Sequence, residues 1–234
     1  MEGSETLRVP DVVRALIYDF DDTIVESERI NDALFSGLLR SEYGLSLSQD
    51  QLDYLYGFAW SGVFDWLEKN AGFHEPRARV WQRFMKVKRE FLSGRRLRSA
   101  AGIDRMLALP AAHAMVSGST REELSLMMAG IGMREDAFQL ILSDEDTTRG
   151  KPDPQGYQIA LERLGVAARE AVVFEDSVAG IQAAQAAGIP VAFIAELASR
   201  DNGASADMRF PTFVEAWEAL KDRVTPGPAD TRGR

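Results

Sequence analysis

The chain has 234 residues, 45% of them hydrophobic, enough to bury a substantial core and too apolar for a disordered chain. Its formal charge of −9 and pI near 4.9 argue against a general nucleic-acid binder, whose affinity rests on cations. With no cysteine, and His74 and His113 as its two histidines, it excludes disulfides, thiolate sites and cysteine nucleophiles, so any metal is expected to be a hard cation held by oxygen.

The opening MEGSETLRVP is polar, carries two glutamates and lacks the apolar run of a secretory signal, so loose structure and a cytoplasmic location are expected. Val12–Tyr18 is a β-rich apolar run that stops at Asp19. Similar runs recur at Ala112–Val116, Phe138–Leu142, Ala171–Phe174 and Val191–Ile194. Each is continuous rather than alternating, as in parallel strands covered on both faces. The longest apolar stretch, Ala186–Ala195, is interrupted by Gly188 and Pro190 and is shorter than the roughly 18 residues of a membrane span, so no membrane partner is expected.

Helices fit between these runs. Ser119-Thr120-Arg121-Glu122 reads as a capping box ahead of Leu124, Met127 and Met128. Asp153-Pro154 opens a helix that Gly165 closes; Val178–Ala187 ends at Gly188, and Thr212 with Glu215 opens a last short helix. Gly130-Ile131-Gly132 has neither the third glycine nor the preceding strand of a nucleotide loop and reads as a helix-ending turn. Strands alternating with helices predict an α/β fold, a doubly wound parallel-sheet, Rossmann-like core.

The interval between the first two strands is far longer than a βα connection. Ile30, Ala33, Leu34 and Leu38 share one helical face, and Val80, Phe84, Val87 and Phe91 another. An inserted α-helical cap domain is therefore expected over 27–97, with the core formed by 1–26 and 98–234 and a disordered tail at 222–234. His74 falls in a loop of the insert and His113 at the start of a strand.

The chemistry concentrates at strand ends. Asp19-Phe20-Asp21-Asp22-Thr23 places three carboxylates in four residues directly after a buried strand, where they repel one another unless a cation compensates. Asp19 and Asp21 point to the same side, where they can share a metal and a substrate. Ser117 ends the second strand just ahead of a helix N-terminus, a natural anion site. Lys151, in Gly150-Lys151-Pro152-Asp153-Pro154, sits on a proline-stiffened loop. Glu175-Asp176 ends another apolar strand, and two acidic strand ends in one sheet point to a shared divalent cation.

With these motifs in this order the chain resembles the haloacid dehalogenase-like superfamily. Asp19–Thr23 is similar to its first motif, Ser117 to its second, Lys151 to its third and Glu175-Asp176 to its fourth, and the insert resembles the helical cap of one subclass. The resemblance implies a Mg²⁺-dependent phosphomonoesterase. Asp19 would be the nucleophile, giving an aspartyl phosphate, and Asp21 the general acid and base. Ser117, Gly118 and Lys151 would bind phosphate, while Asp19, Asp176, the Asp21 carbonyl and Glu175 would hold the metal. The insert would close over the crevice and select the leaving group. The substrate implied is a small phosphorylated metabolite, with a sugar phosphate among the candidates, and the chain is expected to be a monomer or homodimer.

Aspartate at position 21 favours phosphate esters, because relatives that cleave carbon–halogen or carbon–phosphorus bonds usually carry tyrosine or alanine there. Asp22 departs from the commoner glycine. A sugar-phosphate mutase resembling β-phosphoglucomutase is the alternative; such mutases place an arginine in a cap loop, whereas Tyr56–Gly62 holds no basic residue. A phospho-aspartate signalling receiver is more remote, since its lysine follows the acidic strands. Phe58 and Trp60 are candidates to stack on a substrate, with packing inside the insert as the competing reading. The basic run from Arg77 to Arg98 is either a draw for anions or a solvated helix face.

Overall fold

The computed structural model describes residues 9–55 and 60–228. The chain divides into two compact units, Met1–Glu26 with Arg98–Arg234, and Ser27–Leu97. Ser27–Leu97 holds helices α1 (Glu28–Tyr43), α2 (Gln49–Leu55), α3 (Trp60–Ala71) and α4 (Arg77–Leu92). The other unit holds strands β1 (Ala15–Tyr18), β2 (Ala112–Val116), β3 (Leu140–Leu142), β4 (Ala171–Glu175), β5 (Val191–Ile194) and β6 (Met208–Phe210). Its helices are α5 (Ile103–Leu107), α6 (Arg121–Gly130), α7 (Gln155–Leu164), α8 (Val178–Ala186) and α9 (Phe213–Leu220).

The six strands form one sheet in the order β3-β2-β1-β4-β5-β6, and every pair is parallel. Every residue of β1, β2, β4 and β5 is buried, which is why these strands read as unbroken apolar runs. Alternation sorts their side chains between two layers. Ala15 and Ile17 join Tyr157, Ala160, Ile181 and Ala184 in a core beneath α7 and α8. Tyr18 points the other way, its ring 5.2 Å from Phe174 and 5.9 Å from Phe213 of α9. Helices thus cover both faces, and the doubly wound fold follows. No helix among the described residues is long and apolar enough to cross a membrane.

Several boundaries and one strand differ from the sequence reading. β1 begins at Ala15 because Val12 is exposed and Val13 makes an isolated bridge to Val224 instead. β6 adds a strand beyond the five apolar runs: it has three residues, with the exposed Arg209 between Met208 and Phe210, too short to form an apolar run. The helix-opening box at α6 is Thr120 with Glu123, one residue later than Ser119 with Glu122. The expectation of a disordered tail from 222 is corrected for 222–228. There Thr225 N–H donates to Val13 O at 2.9 Å, and Gly227 N–H donates to Pro110 O at 3.1 Å. The closing glycine at 165 and the Thr212–Glu215 box appear as expected.

In the helical unit, α1 buries Asn31, Phe35, Leu38 and Leu39, a stripe rotated about one residue from the 30/33/34/38 face. Phe35 sets that rotation, meeting Trp60, Phe64 and Phe84 edge-on at 5.1–5.9 Å. On α4, Val80 and Phe84 are buried as the expected face requires, but Val87 and Phe91 are half-buried, and Met85, Lys88 and Leu92 take the inner positions. Part of the basic run is paired at the surface, Arg77 with Asp65 and Glu68, and Arg83 with Glu42.

Candidate active site

The register of the sheet brings the chemistry together. Tyr18 lies beside both Met115 and Phe174, so β1, β2 and β4 run out at the same edge. Asp19 N–H donates to Phe174 O at 2.9 Å, carrying the ladder one residue further and fixing Asp19 between β1 and β4. This is the point where the winding reverses, the usual ligand crevice of an open α/β sheet. The chain then turns sharply through Asp22, whose φ of 52° is in the left-handed region. Aspartate tolerates that region better than most residues, which accounts both for the usual glycine and for its replacement. Ser199 holds the turn by donating to Asp22 Oδ2 at 3.0 Å.

Lys151 is the cation of the site. Its Nζ donates to Asp19 Oδ1 at 2.6 Å and Glu175 Oε1 at 2.5 Å. The loop that presents it is pinned by Gln155, whose Oε1 accepts from the N–H groups of Thr148 and Arg149 at 2.8 and 2.9 Å. Glu175 is fully buried and heavily bonded. Tyr157 OH donates to Oε1 at 2.7 Å, while Oε2 accepts from Asp176 N, Ser177 N and Ser177 Oγ at 3.0–3.3 Å. A Cβ on Gly180 would stand 1.8 Å from Glu175 Oε1, so only glycine leaves room for that carboxylate. Thr23 Oγ1 donates to Asp176 Oδ1 at 3.3 Å.

On the β2 side, Ser117 and Ser119 both donate to Asp21 Oδ2, at 3.0 and 2.8 Å, with the exposed Gly118 between them. Asp19, Asp21, Ser117, Gly118, Lys151, Glu175 and Asp176 thus gather at one edge of one unit. Phe58 lies outside the described residues. Trp60 packs within the helical unit, 4.8 Å from Phe84, 5.1 Å from Phe35 and 5.3 Å from Trp81, which accounts for it without a ligand.

The charge balance is uneven. Burial, reinforced by Glu175 and Asp21 and opposed by Lys151, pushes the Asp19 carboxyl up to about 7. Asp176 is held well above the usual carboxylate range by burial and by Asp19, Glu175 and Asp22. For Lys151, burial disfavours the charge, but Asp19 and Glu175 overcome it and raise the ammonium well above its ordinary value. Asp19, Glu175 and Asp176 each offer an oxygen within 4.8 Å of the others. Three carboxylates face one ammonium, and that excess of negative charge, with an all-oxygen donor set, suits a hard divalent cation. Protons are the alternative relief, which is what the raised Asp19 and Asp176 express.

Tyr157, Ser119, Ser177 and Gly180 escaped the sequence reading as site residues. Tyr157 stands at helical apolar spacing and looks like core, and Ser119 looked like a cap. A small cavity beside Ser117, Gly118, Lys151 and Tyr157 opens onto this edge. A larger one of about 200 Å³ lies in the helical unit among Phe64, Phe73, His74 and Arg77. Arg77 is already paired there, and no comparable set of buried, converging groups surrounds it, so the smaller cavity marks the chemistry.

A lysine and a serine hydroxyl that suit an oxyanion, set among carboxylates that need a cation, define an enzyme of phosphoryl chemistry on a doubly wound sheet. The model of the haloacid dehalogenase-like hydrolase family matches residues 16–194, and the chain belongs to that family. It is 27% identical over 217 residues to protein CbbY of Rhodobacter capsulatus, covering 87% of this chain and 95% of that protein. It is also 27% identical over 180 residues to the fructose-1-phosphate phosphatase YqaB of Escherichia coli, covering 74% of this chain and 92% of that one. The crystal structure of CbbY from Rhodobacter sphaeroides in complex with phosphate shares the fold, with a TM-score of 0.78 at 19% identity, over 90% of this chain and all of that one. The chain is a haloacid dehalogenase-like phosphatase, a hydrolase of phosphoric monoesters.

Proposed function

We propose that the protein hydrolyses a small phosphorylated metabolite of the sugar-phosphate type, with magnesium, through an aspartyl phosphate on Asp19. The observation that carries this reading is the position of Lys151 Nζ, bonded at once to Asp19 Oδ1 and Glu175 Oε1. That ammonium keeps an oxygen of the proposed nucleophile oriented and offers its charge to a phosphate arriving beside it. YqaB, a relative whose name specifies a sugar phosphate, favours that substrate class.

The residues fit a magnesium ion: Asp19, Asp176 and the main-chain carbonyl of Asp21 would hold it. Glu175 adds charge, though its oxygens already accept five hydrogen bonds. When bound, the ion offsets the mutual repulsion of phosphate and carboxylates. Asp19 attacks phosphorus while Ser117, the Gly118 amide and Lys151 hold the phosphate oxygens. Asp21 gives a proton to the departing alkoxide and then takes one from the water that attacks the aspartyl phosphate.

The test is turnover of p-nitrophenyl phosphate with and without Mg²⁺, using Asp19→Asn as control. Loss of the nucleophile is expected to cost at least about 10³-fold in kcat. Metal-independent turnover, or an Asp19→Asn enzyme as active as the parent, would refute the reading. Sugar monophosphates that yield an isomer in place of free phosphate would turn it into a mutase.

A further inference from the structure

The hydroxyl protons around Asp21 do not suffice for a site that also binds phosphate through Ser117. A serine hydroxyl carries one proton. That of Ser117 rests on Asp21 Oδ2 at 3.0 Å, while Ser117 Oγ itself accepts Ser119 N–H at 3.0 Å. To donate to a phosphate oxygen, Ser117 must give up Asp21.

Ser119 faces no such conflict. Its Oγ donates to the same Asp21 Oδ2 at 2.8 Å. Its backbone is held on both sides, N–H on Ser117 Oγ and C=O receiving Asp144 N–H at 3.0 Å. It is buried, at 8% exposure. Nor is its hydroxyl needed to start α6: Thr120 Oγ1 accepts Glu123 N–H at 3.3 Å, and Glu123 Oε2 accepts Thr120 N–H at 3.1 Å.

We propose that Ser119 is the positioning residue for Asp21, keeping its carboxyl aimed when Ser117 turns to the phosphate. This inference rests on the phosphatase reading above. With Oδ2 still accepting from Ser119, the Asp21 carboxyl keeps the orientation from which it hands a proton to the leaving group. As the Asp19 oxygen–phosphorus bond forms, the phosphorus–ester oxygen bond breaks. Its electron pair passes to the ester oxygen, which takes a proton from the Asp21 carboxyl.

A residue that orients the acid matters only where the leaving group needs a proton. The experiment compares kcat/KM of the full-length protein with Mg²⁺ on glycerol 2-phosphate, an alkoxide leaving group, and on p-nitrophenyl phosphate, a stable phenolate. This ratio reports events through departure of the alcohol and so omits the later hydrolysis common to both esters. Ser119→Ala is expected to lower the alkyl value at least about 10-fold and the aryl value by less than about threefold, with Ser119→Thr restoring the alkyl rate. Ser117→Ala should instead weaken inhibition by inorganic phosphate whichever ester is used. The aryl rate doubles as proof of folding. Equal losses on the two esters, or an unchanged alkyl rate in Ser119→Ala, overturn the role of Ser119 alone. A parent enzyme that cleaves neither ester overturns the phosphatase reading as well.

Discussion

Charge is handled differently in the two units. In the helical unit most ionic side chains lie outside an aromatic core and find partners at the surface, Arg77 with Asp65 and Glu68, Lys86 with Glu90. Its buried cation, Lys88, has its ammonium 5.8 Å from the Phe84 ring centre. In the α/β unit three buried carboxylates crowd around a single ammonium. Exposed pairs contribute little to stability and tell little about chemistry. Buried charge of one sign persists only where something compensates it on demand, so the excess at the strand ends marks the place where a cation and an anionic substrate meet.

Removing the single compensating charge breaks that comparison most directly. Lys151→Met keeps the apolar stem but leaves Asp19 and Glu175 facing each other without a cation. Stranding buried charges in this way is expected to cost about 3–5 kcal/mol in the metal-free protein at neutral pH, read by urea denaturation. A loss as small as that of an exposed pair would mean that the strand ends are not charge-strained at all. Next in size is Gly180→Ala, whose Cβ would land 1.8 Å from Glu175 Oε1. Overpacking there should cost about 1–3 kcal/mol and lower activity, because moving the Glu175 carboxylate also moves Lys151. Parent-like stability and turnover would show that Glu175 has slack.

The strands and motif residues were legible because the buried strands read as apolar runs and two of them end directly in charge, as Ala171–Glu175 and Ala15–Tyr18 with Asp19 show. What stayed illegible depends on tertiary contact. Nothing local distinguishes Tyr157 from a core tyrosine; its hydroxyl acquires meaning only when β4 brings Glu175 within 2.7 Å. Ser119 was hidden by an adjacent residue of the same capping chemistry, and a one-residue shift of the box to Thr120 changes what its hydroxyl is for. The docked segment 222–228 is rich in proline and glycine, and its order comes from backbone bonds to Val13 and Pro110 that composition does not encode.

The pH response sharpens the comparison further. Asp19 is raised to about 7 from an ordinary 3.8, so between those values the folded, metal-free protein binds more protons than the unfolded chain. Its contribution to stability is therefore fully present below about pH 4 and is lost as pH rises through 7. Mg²⁺ competes with that proton, so the rise in Tm on adding Mg²⁺ should exceed that at pH 5 by about 2 °C or more when measured at pH 7.5. Scanning calorimetry in EDTA and in Mg²⁺ at both values reads it, and Asp19→Asn should flatten the difference. A Mg²⁺ effect independent of pH would mean that the ion binds away from Asp19.

The smallest effect is expected on the other side of the comparison. Arg83 forks onto both Glu42 oxygens, a bidentate pair joining α1 to α4, and hydrogen bonding to Glu42 raises the guanidinium above its ordinary value. Yet both side chains face solvent, where hydration replaces what the pair provides and salt screens it. Arg83→Ala should leave Tm unchanged within error and, because Glu42 already answers its charge, leave the salt dependence of kcat/KM for a phosphate ester unchanged. A flattened salt dependence would instead show that the basic run steers anions toward the protein, and the helical unit would then contribute to catalysis through its surface charge.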